Sequence, residues 1–446
     1  MASVASSEPC DCLIEAGFVV PIEPQGVVLE DHAVAISGDR IAAVLPIDQA
    51  RVRFVPEQTV RRPDAAIMPG LVNAHTHNPM TLLRGIADDL PLMEWLQNHV
   101  WPIEASVVEP KFVADGVTLA IAEMLRGGVT CVNENYFFPD VQAAVYHRYG
   151  IRAAVGLPII DFATVWAKTA DEYFDRACEV HDQWRDDAMI TTTFAPHAPY
   201  SVSDANFERI RMLSDQLNLP IHLHLHETPQ EIADSMAQHG QRPMARLERL
   251  GLISSNLIAV HMTQLTEGEI HLCAERGVSV VHCPESNLKL ASGLCPVAAL
   301  QRAGVNLAIG TDGCASNNDL DMLGETRTAA LLAKGVAGDA TALDAASALR
   351  AATWGGARAL GLLDTIGSIE PGKQADLICV DLGAVETQPL HNVLSQLVYA
   401  ADRRCVTDVW IAGRRKLAER NLVDIDHATV VANTRQWRAR IAASRR

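Results

Sequence analysis

Between Ile67 and about Leu363, short apolar runs alternate with longer stretches of helical periodicity. The runs are Met68–Val72, Thr130–Val132, Ala153–Val155, Thr191–Phe194, Ile221–Leu223, Leu257–Val260, Val278–Val281 and Leu307–Ile309. Each has the length of a strand and is followed by enough chain for a helix. Eight repeats of strand then helix predict an α/β protein built on a TIM-like (β/α)8 barrel. On either side the texture changes. Phe18-Val19-Val20 and Ala33–Ser37, broken at Gly38-Asp39-Arg40, predict hairpins. Ala375–Val380 and Val406–Ile411 predict further strands, and a helix is expected from about Ala428 to the end. The two ends are expected to meet in a small composite β-sandwich. The predicted division is 1–67 with 366–446 for that sandwich and its C-terminal helix, and 68–365 for the barrel.

Composition narrows what such a barrel does. With 446 residues, 48% apolar and 20% charged, the chain has core enough for a barrel plus an accessory layer and is too apolar for disorder. The net charge of -17, relieved only by Arg403-Arg404 and Arg414-Arg415-Lys416, repels a phosphate backbone, so no nucleic-acid partner is expected. No window approaches the roughly 20 apolar residues of a membrane helix. Met1–Asp11 has neither the basic residue nor the apolar stretch of an export signal. Ten scattered cysteines predict reduced thiols and a cytoplasmic location, and Cys10-x-Cys12 reads as ordinary strand residues.

Candidate chemistry lies at the strand ends. In Pro69–His77, His75 and His77 are two residues apart at the C-terminal end of the first barrel strand, so they share a face and can chelate one ion. The fifth strand reads Ile221-His222-Leu223-His224-Leu225-His226-Glu227. Its three histidines lie at different depths, and one ion cannot use them all; His222 and His226 read as barrel filling or supporting hydrogen bonds. Glu227, three residues past His224, can overhang the mouth, although spacing alone does not select which histidine binds. His261 closes the sixth run, where a lone histidine is more often a core residue. Asp312, in the Gly-flanked turn after the eighth run, is a poor core residue and a good ligand or base. The strand ends together supply three imidazoles and one carboxylate, a set that suits zinc and would also accept iron or manganese.

Several longer motifs carry a resemblance. Pro-Gly-x-Val-x-x-His-x-His at 69–77 and Gly367–Leu377 resemble the amidohydrolase superfamily across nearly the whole chain. Met80–Gly85, Trp101–Glu104, Ala195–Tyr200 and His282–Leu290 resemble its 5′-methylthioadenosine and S-adenosylhomocysteine deaminase branch, which also contains triazine hydrolases. That likeness implies a metal-dependent hydrolytic deaminase of adenine nucleosides. It implies one divalent metal on His75, His77, His224 and Asp312, with Asp312 also taking the proton of the attacking water. It makes Glu227 the proton-carrying acid and puts His261 beside the water rather than on the metal. Glu104 would take ribose hydroxyls, His197 would contact the nucleoside, and Trp95 would wall the purine. Glu227 and Asp312 would thus also touch substrate. The fourth strand, Thr193–His197, lacks the lysine that binuclear members carboxylate, so one metal is expected.

Specificity follows from a departure. Relatives that accept S-adenosylhomocysteine resemble one another in arginines after the third strand, whereas Val155 to Tyr173 has none. A carboxylate tail would lose a bidentate partner there, which favours 5′-methylthioadenosine or adenosine. Two other readings compete: a triazine or guanine-type amino- or chlorohydrolase with the same metal site, and a non-catalytic barrel kept for interactions. A small-molecule substrate is the expected partner. A dimer or larger homo-oligomer suits the architecture, though no residue specifies it.

Overall fold

The computed structural model describes residues 7–445. The first six residues, part of the stretch read for an export signal, lie outside the described residues, as does Arg446. Four strands come first: β1 (Glu8–Val19), β2 (Leu29–Ser37), β3 (Arg40–Pro46) and β4 (Phe54–Pro69). The β2–β3 hairpin turns on Gly38-Asp39 between the paired residues Ser37 and Arg40, with Gly38 at φ 61°. A glycine at the first of two turn residues is what a tight hairpin of this length requires.

The eight barrel strands follow: β5 (Leu71–Thr76), β6 (Val129–Glu134), β7 (Arg152–Ile159), β8 (Ile190–Pro196), β9 (Ile221–Leu225), β10 (Leu257–His261), β11 (Ser279–His282) and β12 (Asn306–Ile309). Each pairs in parallel with the next. Their residues are almost all buried, as expected for parallel strands covered on both faces. All eight apolar runs overlap these strands. The chain then returns to the first sheet with β13 (Leu377–Asp381), β14 (Val406–Ile411), β15 (Arg414–Ala418) and β16 (Asn421–Leu422).

That sheet has the order β16-β15-β14-β13-β4-β1-β2-β3, so β13 from the C-terminal segment docks on β4 from the N-terminal one. Ile36 and Ile41 near one end of the order share an apolar cluster with Cys379 and Trp410 near the other. The sheet therefore folds over on itself and encloses a core of its own. The last helix, His427–Ser444, packs against the barrel helix Pro110–Arg126: Trp437 Nε1 donates to Asp115 Oδ2 at 2.8 Å, and the Trp437 and Phe112 rings meet edge to face.

The first barrel strand starts later than its apolar run suggests. Met68 and Pro69 still pair with Ile378 and Leu377 in the outer sheet. Gly70 makes the handover, because a Cβ there would lie 2.1 Å from Thr130 Oγ1. The strand consequently runs on to Thr76 and carries His75 within it. Among the described residues no helix is long and apolar enough to cross a membrane.

Arg152 ties the two layers together. Its Nε and Nη2 reach the Asp376 carboxylate at 3.0 and 3.2 Å, and both side chains are buried. Removing one partner of a buried pair strands the other charge. Arg152→Ala is therefore expected to cost about 3–5 kcal/mol of stability, read as a lower urea midpoint by circular dichroism; an unchanged midpoint would show that the pair holds nothing.

Candidate metal centre and active site

The barrel closes where β12 meets β5. Thr76 and Asp312 form an isolated parallel bridge, and the Asp312 amide donates to the His75 carbonyl at 3.0 Å. Gly310 allows the approach: a Cβ there would sit 2.8 Å from both the amide nitrogen and the Cβ of His75. The same closure brings the chemistry-bearing side chains together. Asp312 Oδ1 lies 3.2 Å from His75 Nε2 and 3.2 Å from His77 Nε2. His224 Nε2, from β9, lies 3.3 Å from His77 Nε2. The His261 ring stacks on that of His224 with centroids 5.5 Å apart.

The far side of each ring is tied down. His224 Nδ1 donates to the His197 carbonyl at 2.6 Å, and His77 Nδ1 meets the Asn135 carbonyl. Those bonds leave the lone pair on Nε2, which faces the shared space. His75 Nδ1 bonds His222 Nε2 at 2.8 Å, while its buried Nε2 has no hydrogen-bond partner despite its closeness to Asp312. Two groups of ligand atoms here are close enough to hold a divalent metal, His75 with His77 and Asp312, and His75 with His224 and His261. His75 is common to both, and His261 stands within ligand reach as well. Electrostatics agrees. Burial holds His75 down at about 4 and His224 well below its ordinary value, which keeps both neutral, the coordinating form. Burial pulls on His77 too, but the Asp312 carboxylate outweighs it and lifts that ring to about 9. The position that attracts a proton there is one a cation would compete for. Asp312 is buried, yet His75 and His77 hold its carboxyl well below the usual range.

Three supports escaped the sequence reading. Ser286 and Ser316 donate to Asp312 Oδ2 at 2.6 and 2.9 Å, while Oδ1, which also accepts from the Gly313 amide at 2.8 Å, is the oxygen that faces His75 and His77. Asn287 Oδ1 bonds His261 Nδ1 at 2.9 Å. Ser286 and Asn287 belong to the quoted run His282–Leu290, and only the fold shows what they hold. His226 turns away from the site, its Nε2 accepting from the Met244 amide at 3.1 Å.

Above the donors opens a cavity of ≈ 430 Å³, the size of a small-molecule site. His77, His224, His261, Glu227 and Asp312 line its floor, while Trp95, Glu104 and His197 line its walls. Glu227 Oε2 lies 3.9 Å from His261 Nε2, and burial pushes its carboxyl up, toward the protonated form. Burial also pushes the Glu104 carboxyl up to about 7, against the hydrogen bond that Tyr136 Oη donates to Oε1 at 2.6 Å. His197 Nδ1 bonds Ser201 Oγ at 3.0 Å, which leaves Nε2 for a ligand. The Trp95 ring lines the wall with its Nε1 buried and unpartnered. Tyr136 and Lys168 line the cavity too, and neither was singled out in the sequence. Lys168 stands in the very stretch searched for arginines.

The chain matches the amidohydrolase family over residues 66–416. It is 46% identical over 435 residues to a Teredinibacter turnerae protein named 5-methylthioadenosine/S-adenosylhomocysteine deaminase, which covers 98% of either chain. The crystal structure of an adenosine deaminase from Xanthomonas campestris with bound zinc superposes with a TM-score of 0.97 at 76% identity, over 98% of this chain and 100% of that one. An atrazine chlorohydrolase of Arthrobacter aurescens TC1, complexed with zinc, overlays with a TM-score of 0.89 over 96% of this chain and 99% of that one. At 24% identity that likeness is one of fold alone. A match of this length, on a barrel whose strand ends carry this donor set, has a plain meaning: the chain belongs to the amidohydrolase family.

Proposed function

We propose that the protein hydrolyses the exocyclic amino group from adenine nucleosides, using one divalent cation, zinc ahead of iron or manganese, held by His75, His77, His224 and Asp312. The observation that carries this reading is the pairing of a buried acid, Glu227, with His77, His224 and Asp312 of that donor set in the lining of one cavity. The names of the relatives support an adenine nucleoside as the substrate class. In this reading the barrel, 68–365, carries the whole site, and 1–67 with 366–446 contributes none of it.

A divalent cation, if held by these donors, would supply a nucleophile at neutral pH by bringing the pKa of a water down to about 7. The remaining work falls to side chains. Asp312 takes the water's proton at Oδ1, the oxygen that faces His75 and His77. Glu227 delivers a proton to the ring nitrogen beside the attacked carbon, making that carbon electrophilic. His261, fixed at Nδ1 by Asn287, orients the incoming water through Nε2. Trp95 walls the purine, His197 contacts the nucleoside through Nε2, and Glu104 takes ribose hydroxyls on the oxygen that Tyr136 does not occupy. The Glu104–Tyr136 pair favours a riboside over a free base or a triazine.

The wall past the ribose end is apolar at Ile160, Phe162 and Val165. Lys168 is its one lysine or arginine among the described residues; its ammonium donates to the Thr164 carbonyl at 2.5 Å and is solvent-exposed. A hydrated point charge replaces a bidentate guanidinium poorly. The preference is therefore for 5′-methylthioadenosine or adenosine over S-adenosylhomocysteine.

Three measurements test this function. Glu227→Gln should keep its metal while turnover falls ~10²–10⁴-fold, whereas His75→Ala should lose both; metal analysis beside ultraviolet kinetics separates the two, and normal turnover by the glutamine variant ends the acid assignment. In side-by-side assays kcat/KM should rank S-adenosylhomocysteine last, and equal turnover would overturn the preference. Finally, Glu104 must be ionised to accept two hydroxyls, and its carboxyl titrates at about 7. Below that pH it is neutral, so KM for adenosine should rise as pH falls through about 7, and Glu104→Gln should lack that limb.

A further inference from the structure

The turn that carries Glu227 is clamped at each of its backbone polar groups. β9 ends at Leu225, and His226 then adopts a left-handed backbone, φ 52°, which a non-glycine residue rarely takes. That twist sends the His226 ring outward to the Met244 amide and the Glu227 side chain into the cavity. The two carbonyls of the turn accept from Thr263: the His226 carbonyl from its amide at 3.0 Å, the Glu227 carbonyl from its hydroxyl at 2.7 Å. The two amides donate to a single side chain. Glu231 Oε1 accepts from the His226 amide at 2.9 Å, and Oε2 from the Glu227 amide at 2.7 Å.

Glu231 does more than cap a helix. It is the third residue of the helix Pro229–His239, whose Thr228 side chain accepts from the Glu231 amide. In an ordinary capping box such a glutamate reaches back to the amide of the cap residue itself. The helix Glu267–Arg276 shows that arrangement in the same molecule, with Glu269 accepting from the Thr266 amide. Glu231 instead reaches past Thr228 to the two preceding amides. It is 7% exposed, and no lysine or arginine among the described residues pairs with it. Burying a carboxylate without a cation is costly unless its hydrogen bonds are strong and well directed. Here all of them go to the turn that aims Glu227.

We propose that Glu231 is a positioning residue for the reaction: its carboxylate, spanning the amides of His226 and Glu227, holds the left-handed turn that directs the Glu227 carboxyl at the substrate ring. This rests on the reading of Glu227 as the acid. With both amides and both carbonyls engaged, the Glu227 carboxyl accepts one long hydrogen bond, from Ser292 Oγ at 3.4 Å, stands 3.9 Å from His261 Nε2, and remains available to a substrate.

Glu231→Gln tests the idea, because an amide side chain offers one acceptor oxygen and presents an NH2 group to the second amide. A displacement of about 1 Å at a catalytic group costs on the order of 10²-fold in rate. The expected result is kcat down roughly 10–100-fold, with KM for adenosine within about twofold and metal content unchanged. Thr228→Ala is the control: it removes the cap of the same helix without touching the two amides, so its melting temperature should fall while kcat stays within about twofold. Wild-type kcat in Glu231→Gln overturns the proposal, and so does a loss of kcat that tracks lost metal or lost thermal stability equally in both variants. Glu227→Gln, assayed alongside, separates the two claims. If it remains active, the acid assignment fails first; if it is dead while Glu231→Gln is normal, only the positioning role fails.

Discussion

Asp312 binds the two ends of the barrel wall and, with the same residue, completes the donor set. Its amide reaches the His75 carbonyl across the seam between the first and last barrel strands. Its carboxylate faces the Nε2 atoms of His75 and His77. Barrel closure and the gathering of these side chains are thus one geometric event. Strand ends that approached less closely would leave the imidazoles without their carboxylate, and Gly310 is the residue whose missing side chain permits the approach. Asp312 itself takes a left-handed backbone at φ 62°, as do His226 at φ 52° and His261 at φ 75°. Strain of this kind persists where surrounding contacts over-determine it, and here it sits at the ends of the strands that supply the chemistry.

Buried carboxylates supply much of that over-determination. Glu134 accepts from the amides of Asn78 and Asn135 and the hydroxyls of Thr76 and Tyr146, so it grips the chain on both sides of His77. Glu325 accepts from Asn317, in the turn beyond Asp312, and from the Glu285 amide. Glu231 occupies the equivalent place behind Glu227. None of the three faces the cavity floor. Each converts a loop that would otherwise wander into a rigid mount, as precise placement of reacting groups requires.

The fold was legible because period and run length are local properties. Eight short apolar runs spaced by helix-length stretches leave few architectures open, and the mixed texture of the two ends pointed to a second, β-rich layer. The handover at Met68–Gly70 was not legible, since pairing of Met68 with Ile378 depends on a strand three hundred residues away. At the site, His75, His77, Glu227 and Asp312 stand out as polar groups at the ends of apolar strands; His77, Glu227 and Asp312 line one cavity, and His75 lies against Asp312. Ser286, Ser316, Asn287 and Tyr136 carry no such mark: a serine or tyrosine in a loop is ordinary until the fold shows which carboxylate or ring it touches. Glu231 carries no mark in the sequence for the same reason, as only the turn geometry shows that it reaches the amides of His226 and Glu227.

The outer sheet has an implication for synthesis. Its central strand β4 is flanked by β1, made before the barrel, and by β13, made after the whole barrel. Until residue 381 has left the ribosome, one edge of β4 has no hydrogen-bonding neighbour, and the apolar cluster around Ile14 and Ile67 lacks Leu377, Cys379 and Trp410. Such an edge is a template for association with other chains. A nascent or prematurely terminated polypeptide would therefore present a sticky flank that the finished protein conceals, and chaperone dependence should lessen only once the C-terminal segment is made.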